Sequence, residues 1–167
     1  MKKLVYILIF AAAFVGGYFV TQWLFPGAEK IIKSRLEKLA SDLSNNPGEG
    51  GIKKLAAANR ITSYFTSDVL INTEGFGRGE PIQGREEMTQ MFMAARGNLR
   101  GTVKIYDVKI DVAPDGKTAT SNFAAMAELQ GQSDPFVQVF RVQWRKEEKQ
   151  WLIQQVDPVR EIQILTQ

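Results

Sequence analysis

No cysteine and no histidine occur among the 167 residues of this chain. Without cysteine there is no disulfide, no thiolate nucleophile and no cysteine-ligated zinc. Without histidine there is no serine-histidine or cysteine-histidine relay and no ordinary transition-metal site. Any proton-transfer or nucleophilic chemistry therefore falls to carboxylates, Tyr, Lys or Ser, and neither a metal nor a cofactor is expected. A strong excess of one charge is missing too. Lys and Arg number 21 against 18 Asp and Glu, a formal net charge of +3, and Lys2 and Lys3 hold most of the excess. A nucleic-acid binder needs a clustered basic face. The small surplus beyond Lys3 lies in residues 26–60, so nucleic acid is not an expected partner.

Hydrophobic length is what the chain does have. Leu4 to Phe25, LVYILIFAAAFVGGYFVTQWLF, carries no charge and as a helix is long enough for the ~30 Å hydrocarbon core of a bilayer. A cleaved signal peptide is the competing reading, since Lys2 and Lys3 form a basic start and Ala11 to Ala13 are small. The apolar run continues well past those alanines, and Tyr18 and Trp23 suit an interface, which favours an uncleaved anchor. The expected division is a transmembrane signal anchor over 1–26 and a domain over 27–167. The short basic start places the domain outside the cytoplasm on a single-pass anchor, although Lys30, Lys33, Arg35 and Lys38 compete under the positive-inside rule.

Beyond Pro26, Ile32, Leu36, Leu39 and Leu43 recur at helical spacing. The run SNNPGEGG is a loop, and a second helix is predicted from Ile52 to about Thr66 with Leu55, Ala58, Ile61 and Phe65 inward. Asp68 to Thr73 reads as a strand. The glycine-rich GFGRG that follows lacks the Lys-Ser/Thr pair of a phosphate loop. Gly84 precedes a third helix with Met88, Met91, Phe92 and Ala95 on one stripe. Then come Val103 to Val112, with Tyr106, Val108, Ile110 and Val112 on one face, and Thr118 to Leu129. The last pair is the sharpest: FVQVFRVQWRKEEKQWLIQQVD is a hairpin around Glu147 to Gln150. With Lys146 opposite Trp151, strict alternation groups Phe140, Val142 and Trp144 with Ile153, Gln155 and Asp157, and leaves Arg141, Gln143, Arg145 and Gln154 outside. Segregated helices and consecutive antiparallel strands define an α+β domain.

This order, with YFTSDVLIN, PIQGREEM and VQWRKEEKQWLIQQVD in sequence, resembles the nuclear transport factor 2-like superfamily, which includes the SnoaL-like polyketide cyclase and ketosteroid isomerase groups. The resemblance spans about residues 29 to 158. It implies a curved antiparallel sheet wrapped as a cone on three helices, a pocket on the concave side, and a homodimer formed through the outer sheet face. It also implies that Asp157 matches an aspartate some polyketide cyclase relatives use as acid or base after a Glu-His-Trp run. Here that run is Gln154, Gln155, Val156, without the histidine or tryptophan. Asn72 occupies a strand position that often holds a polar pocket residue. The expected pocket comprises Tyr64, Asn72, Met88, Phe92, Tyr106, Phe140, Trp144 and Gln155 around Asp157. Two functions follow: a membrane-anchored, non-catalytic module binding a small apolar ligand or a protein partner, or a small isomerase, cyclase or hydrolase working through Asp157. The fold alone does not choose between them.

Overall fold

A computed structural model describes residues 27–44, 51–74, 80–98, 101–131 and 134–159. The anchor expected over residues 4–25 and the GFGRG stretch lie outside them; among the described residues no helix is long and apolar enough to cross a membrane. Helix α1 (Ala28–Leu43) buries Ile32, Leu36 and Leu39 as its spacing predicts, buries Ala40 as well, and leaves the expected Leu43 half-buried at its end. Its last turn is closed by Ser44, whose N–H and hydroxyl both donate to Ala40 O. The same hydroxyl oxygen accepts the Val103 N–H at 3.0 Å and so ties the helix end to the sheet. Helix α2 (Gly51–Thr62) buries Ala57, Ala58 and Ile61, while Leu55, expected inward, is 45% exposed. The helix stops earlier than expected, at a turn in which Ser63 N–H bonds Asn59 O and Tyr64 N–H bonds Ile61 O. Strand β1 (Phe65–Ile71) then starts at the aromatic residue that looked like the helix end.

Strand β2 (Ile82–Gln83) leads into helix α3 (Gly84–Asn98). Gly84 sits at φ +80°, a conformation a side chain would strain. Next to it the Arg85 guanidinium donates to Phe65 O and pins α3 to β1. Strands β3 (Gly101–Val112), β4 (Thr118–Leu129), β5 (Phe136–Glu147) and β6 (Gln150–Val159) form a meander. The sheet order is β2-β1-β6-β5-β4-β3. The result is an α+β cone with a curved sheet on three helices, and one correction applies: β1 runs parallel to β6, so the sheet is mixed, not antiparallel. The core fills the space between helices and inner sheet face with Ile32, Leu36, Ile61, Val69, Met88, Phe123, Val142, Trp144, Trp151 and Ile153.

Two irregularities decide what faces inward. The β5–β6 hairpin does pair Lys146 with Trp151 and Trp144 with Ile153, but the next pair is Gln143 with Gln155. Gln154 is an extra residue, a β-bulge, and beyond it every β6 side chain changes face. In β3 the pairing passes from Tyr106–Ala124 to Lys109–Asn122, again with one extra residue, and Asp107 takes φ 54° there.

Candidate functional site

The bulge at Gln154 sets the position of Asp157. Opposed residues share a face, and Asp157 stands opposite Arg141, so it lies on the outer face with Arg141 and Gln143. The expected grouping of Asp157 and Gln155 with Phe140, Val142 and Trp144 is thus corrected: Val156 and Pro158 take those inner places, opposite Val142 and Phe140. Asn72 lies outward beside Asp157. Its N–H extends the β1–β6 ladder to Val156 O at 2.9 Å, which sets its side chain beside Asp157. The Asp157 carboxylate accepts from the Asn72 amide at Oδ1 and from Gln155 Nε2 at 3.0 Å on each oxygen. Arg141, across the strand, turns its Nε to Asn122 Oδ1 at 3.3 Å. A polar row therefore crosses the outer face: Lys109, Asn122, Arg141, Asp157 and Asn72.

Tyr106 is moved by the other bulge. It is 45% exposed on the outer face, opposite Ala124, whereas Val108, Ile110 and Val112 pack against the core. The inner candidates are of two kinds. Met88 is fully buried and Trp144 is 1% exposed, with the Trp144 indole N–H donating to Ser121 Oγ at 2.8 Å. Both side chains belong to the core. Tyr64, Phe92 and Phe140 are half-buried at the core's margin, Phe140 against Phe123 with ring centroids 5.9 Å apart. The nine predicted site residues are thus split: Asn72, Gln155 and Asp157 meet, Tyr106 stands apart on the same face, and the apolar five lie on the other side of the sheet.

Tyr64 belongs to a second polar group. Its hydroxyl donates to Asp42 Oδ2 at 2.9 Å, Asp42 pairs with Arg60 at 3.4 Å, and the Arg35 guanidinium lies over the Tyr64 ring, 5.1 Å from its centroid. Burial, then the bond to Asp42, raises the Tyr64 pKa. Burial also lowers that of Arg35, by removing water from its cation.

A groove of about 440 Å³ opens near the β3–β4 turn, lined by Asp111, Thr120, Gln143 and Gln154 among others. Asp111 and Thr120 were not among the residues expected at a site; the alternation of β3 beyond its bulge, with Lys109 and Asp111 outward, was the signal for them. Among the described residues no three carboxylates stand close enough together to hold a metal ion.

A family model described as a SnoaL-like domain matches residues 56–157. No curated protein sequence matches. Solved structures share the fold at low identity. The protein Aln2 from a Streptomyces species superposes with a TM-score of 0.61 at 13% identity, covering 84% of this chain and 97% of that one. A protein described as a candidate scytalone dehydratase from Novosphingobium aromaticivorans gives 0.56 at 11% identity, over 78% and 83%. A candidate aromatic ring hydroxylase from the same organism gives 0.59 at 14%, over 78% and 86%.

Proposed function

The chain belongs to the SnoaL-like domain family, and from that premise we propose that it is a membrane-tethered, non-catalytic binding module whose working surface is the outer face of the sheet. One observation carries the reading: the polar candidates Asn72, Gln155 and Asp157 sit on the outer face while Met88 and Trp144 are buried in the core, so among the described residues the Asp157 carboxylate does not share a pocket with the apolar candidates. The partner is a protein, first of all a second copy of this chain. The outer face mixes exposed Tyr106 and Val137 with Lys109, Arg141 and Asp157, the composition of an interface with an apolar centre and a polar rim. The tether is the apolar run at 4–25, with the domain outside the cytoplasm. Sedimentation of the full chain in detergent tests the self-association. The double variant Val137→Asp, Arg141→Glu is expected to weaken it about tenfold or more, and a wild-type chain that stays monomeric at high concentration removes the second copy as partner. The inner-face form of the same reading, a small apolar ligand against Tyr64, Phe92 and Phe140, is tested by native mass spectrometry of the purified chain.

The second reading is a small isomerase, cyclase or hydrolase in which Asp157 transfers the proton and Asn72 and Gln155 orient its carboxylate. The hydrogen bonds that hold the carboxylate in place favour it. Asp157→Asn keeps volume and most hydrogen bonding while abolishing proton transfer. An enzyme loses turnover with its fold intact, whereas a binding module keeps partner affinity within about threefold.

A further inference from the structure

Arg35 is a half-buried cation that neither reading above uses. It projects from the flank of α1 beside the buried stripe, and its guanidinium lies over the Tyr64 ring. Its Nε is buried and bonded to nothing, and among the described residues no carboxylate pairs with it. Asp42, which bonds the same tyrosine, is already engaged by the Tyr64 hydroxyl and by Arg60. A desolvated cation and an unsatisfied N–H both cost free energy unless a counter-group arrives, and native proteins rarely leave either standing. The guanidinium carbon lies 5.1 Å from the Tyr64 ring centroid, and no described carboxylate pairs with it. Lys38, one turn further along α1 and exposed, adds positive charge on the same flank of the helix, while the charge of Arg60 is matched by Asp42.

We propose that Arg35, held over Tyr64, is the anchor of an oxyanion site on the flank of α1 that takes a phosphate group. The planar guanidinium offers a fork matched to two oxygens of a phosphate, and the aromatic ring beneath fixes the plane of that fork before the ligand arrives. Among the described residues no carboxylate closes the site against an incoming anion. Lys38 supplies a second, mobile charge suited to a group of more than one negative charge. The phosphate can belong to an acidic lipid headgroup or be free in solution, and the chemistry of the fork is the same for both. The inference does not depend on the outer-face reading, because α1 and Tyr64 lie on the other side of the sheet.

The test uses the full chain in a phosphate-free maltoside detergent and reads the Arg35 Nε–H resonance by NMR. Inorganic phosphate is titrated in, with sodium chloride at equal ionic strength as control, and phosphatidylglycerol is then mixed into fresh micelles. A saturable shift that chloride does not reproduce is expected. Saturation by phosphatidylglycerol alone assigns the lipid headgroup, by inorganic phosphate alone the free anion, and by both a site that reads the phosphate group only. In Arg35→Lys, which keeps the charge and loses the fork, the effect on Lys38 and Tyr64 resonances should require about tenfold more phosphate. Tyr64→Phe keeps the ring and should bind normally, while Tyr64→Leu should bind more weakly. The Trp144 indole resonance reports whether each variant is folded. No shift with either probe, a shift that chloride matches, or binding unchanged in a folded Arg35→Lys overturns the proposal.

Discussion

The two halves of the β5–β6 hairpin obey different rules. On the turn side of Gln154, simple alternation holds: Trp144 and Ile153 point in, Arg145 and Leu152 point out, and Lys146 meets Trp151. On the far side the strand has slipped by one residue relative to that pattern, and Val156 and Pro158 point in where Gln155 and Asp157 would have been. The difference shows which force sets register. A continuous ladder would have buried an amide and a carboxylate beneath the sheet and exposed Val156. Burying an unpaired carboxylate costs several kcal/mol and more, whereas one bulge leaves a single ladder position unpaired. Burial wins, and the backbone gives way. Strand β3 repeats the lesson at Asp107: Val103 and Ile105 before it, and Val108, Ile110 and Val112 after it, can all face inward only if one extra residue lies between.

The largest test of that contrast compares the faces directly. Trp144→Ala removes one of the two largest inward side chains of the hairpin and leaves the buried Ser121 hydroxyl without its donor. It should cost roughly 3–5 kcal/mol in urea unfolding. Arg141→Ala, one row along on the outer face, should cost no more than about 0.5–1 kcal/mol. Equal costs would mean that the two faces are not energetically distinct.

A smaller effect sharpens the role of the bulge itself. Deleting Gln154 restores plain alternation and gives the chain a choice between exposing Val156 and shifting the whole strand. The expected cost is roughly 2–3 kcal/mol, the transfer free energy of one buried aliphatic side chain plus the partial burial of Asp157. Nuclear Overhauser contacts between Val142 and position 156 should vanish. If they persist at unchanged stability, the bulge is not what places Asp157 outside.

Much of this architecture was readable from residues alone. The helical stripe of α1, the turn of the last hairpin and the order of elements came through because each rests on a local period that packing reinforces. The mixed sheet did not, because β1 meets β6 across most of the chain and nothing local marks the direction of a distant pairing. The site was misread where the period changes phase. Tyr106, Gln155 and Asp157 were placed by extending an alternation through a point where it breaks. The breaks left traces: the apolar positions switch parity between Ile105 and Val108, and again between Ile153 and Val156, each across two adjacent polar or mixed residues. A parity switch in a strand that must bury one face is the sequence form of a bulge. Asn72 beside Asp157 was less legible still, since it depends on a strand pairing made only in the folded chain.

The smallest expected effect lies on the outer face at the turn side, where Arg145 reaches over the sheet to Asp68. Its Nη1 and Nη2 bond the two Asp68 oxygens at 3.1 and 2.8 Å, and Glu147 accepts from Nε and Nη2 at 2.9 and 2.6 Å. These bonds to Arg145 hold the Asp68 carboxyl below the usual carboxylate range. A carboxyl whose folded pKa is depressed contributes stability that is fully present above its unfolded pKa, near 3.9, and is lost as pH falls through the folded value. The Asp68 side chain is 57% exposed, so water and salt screen the pair and the contribution should stay under about 1 kcal/mol. Stability measured against pH for the wild-type chain and for Arg145→Gln should therefore differ by a small constant at neutral pH and converge below pH ~3. A gap that persists undiminished in acid would show that Arg145 acts through packing of its stem on Leu152, which stands opposite it and is buried on a face that is otherwise open.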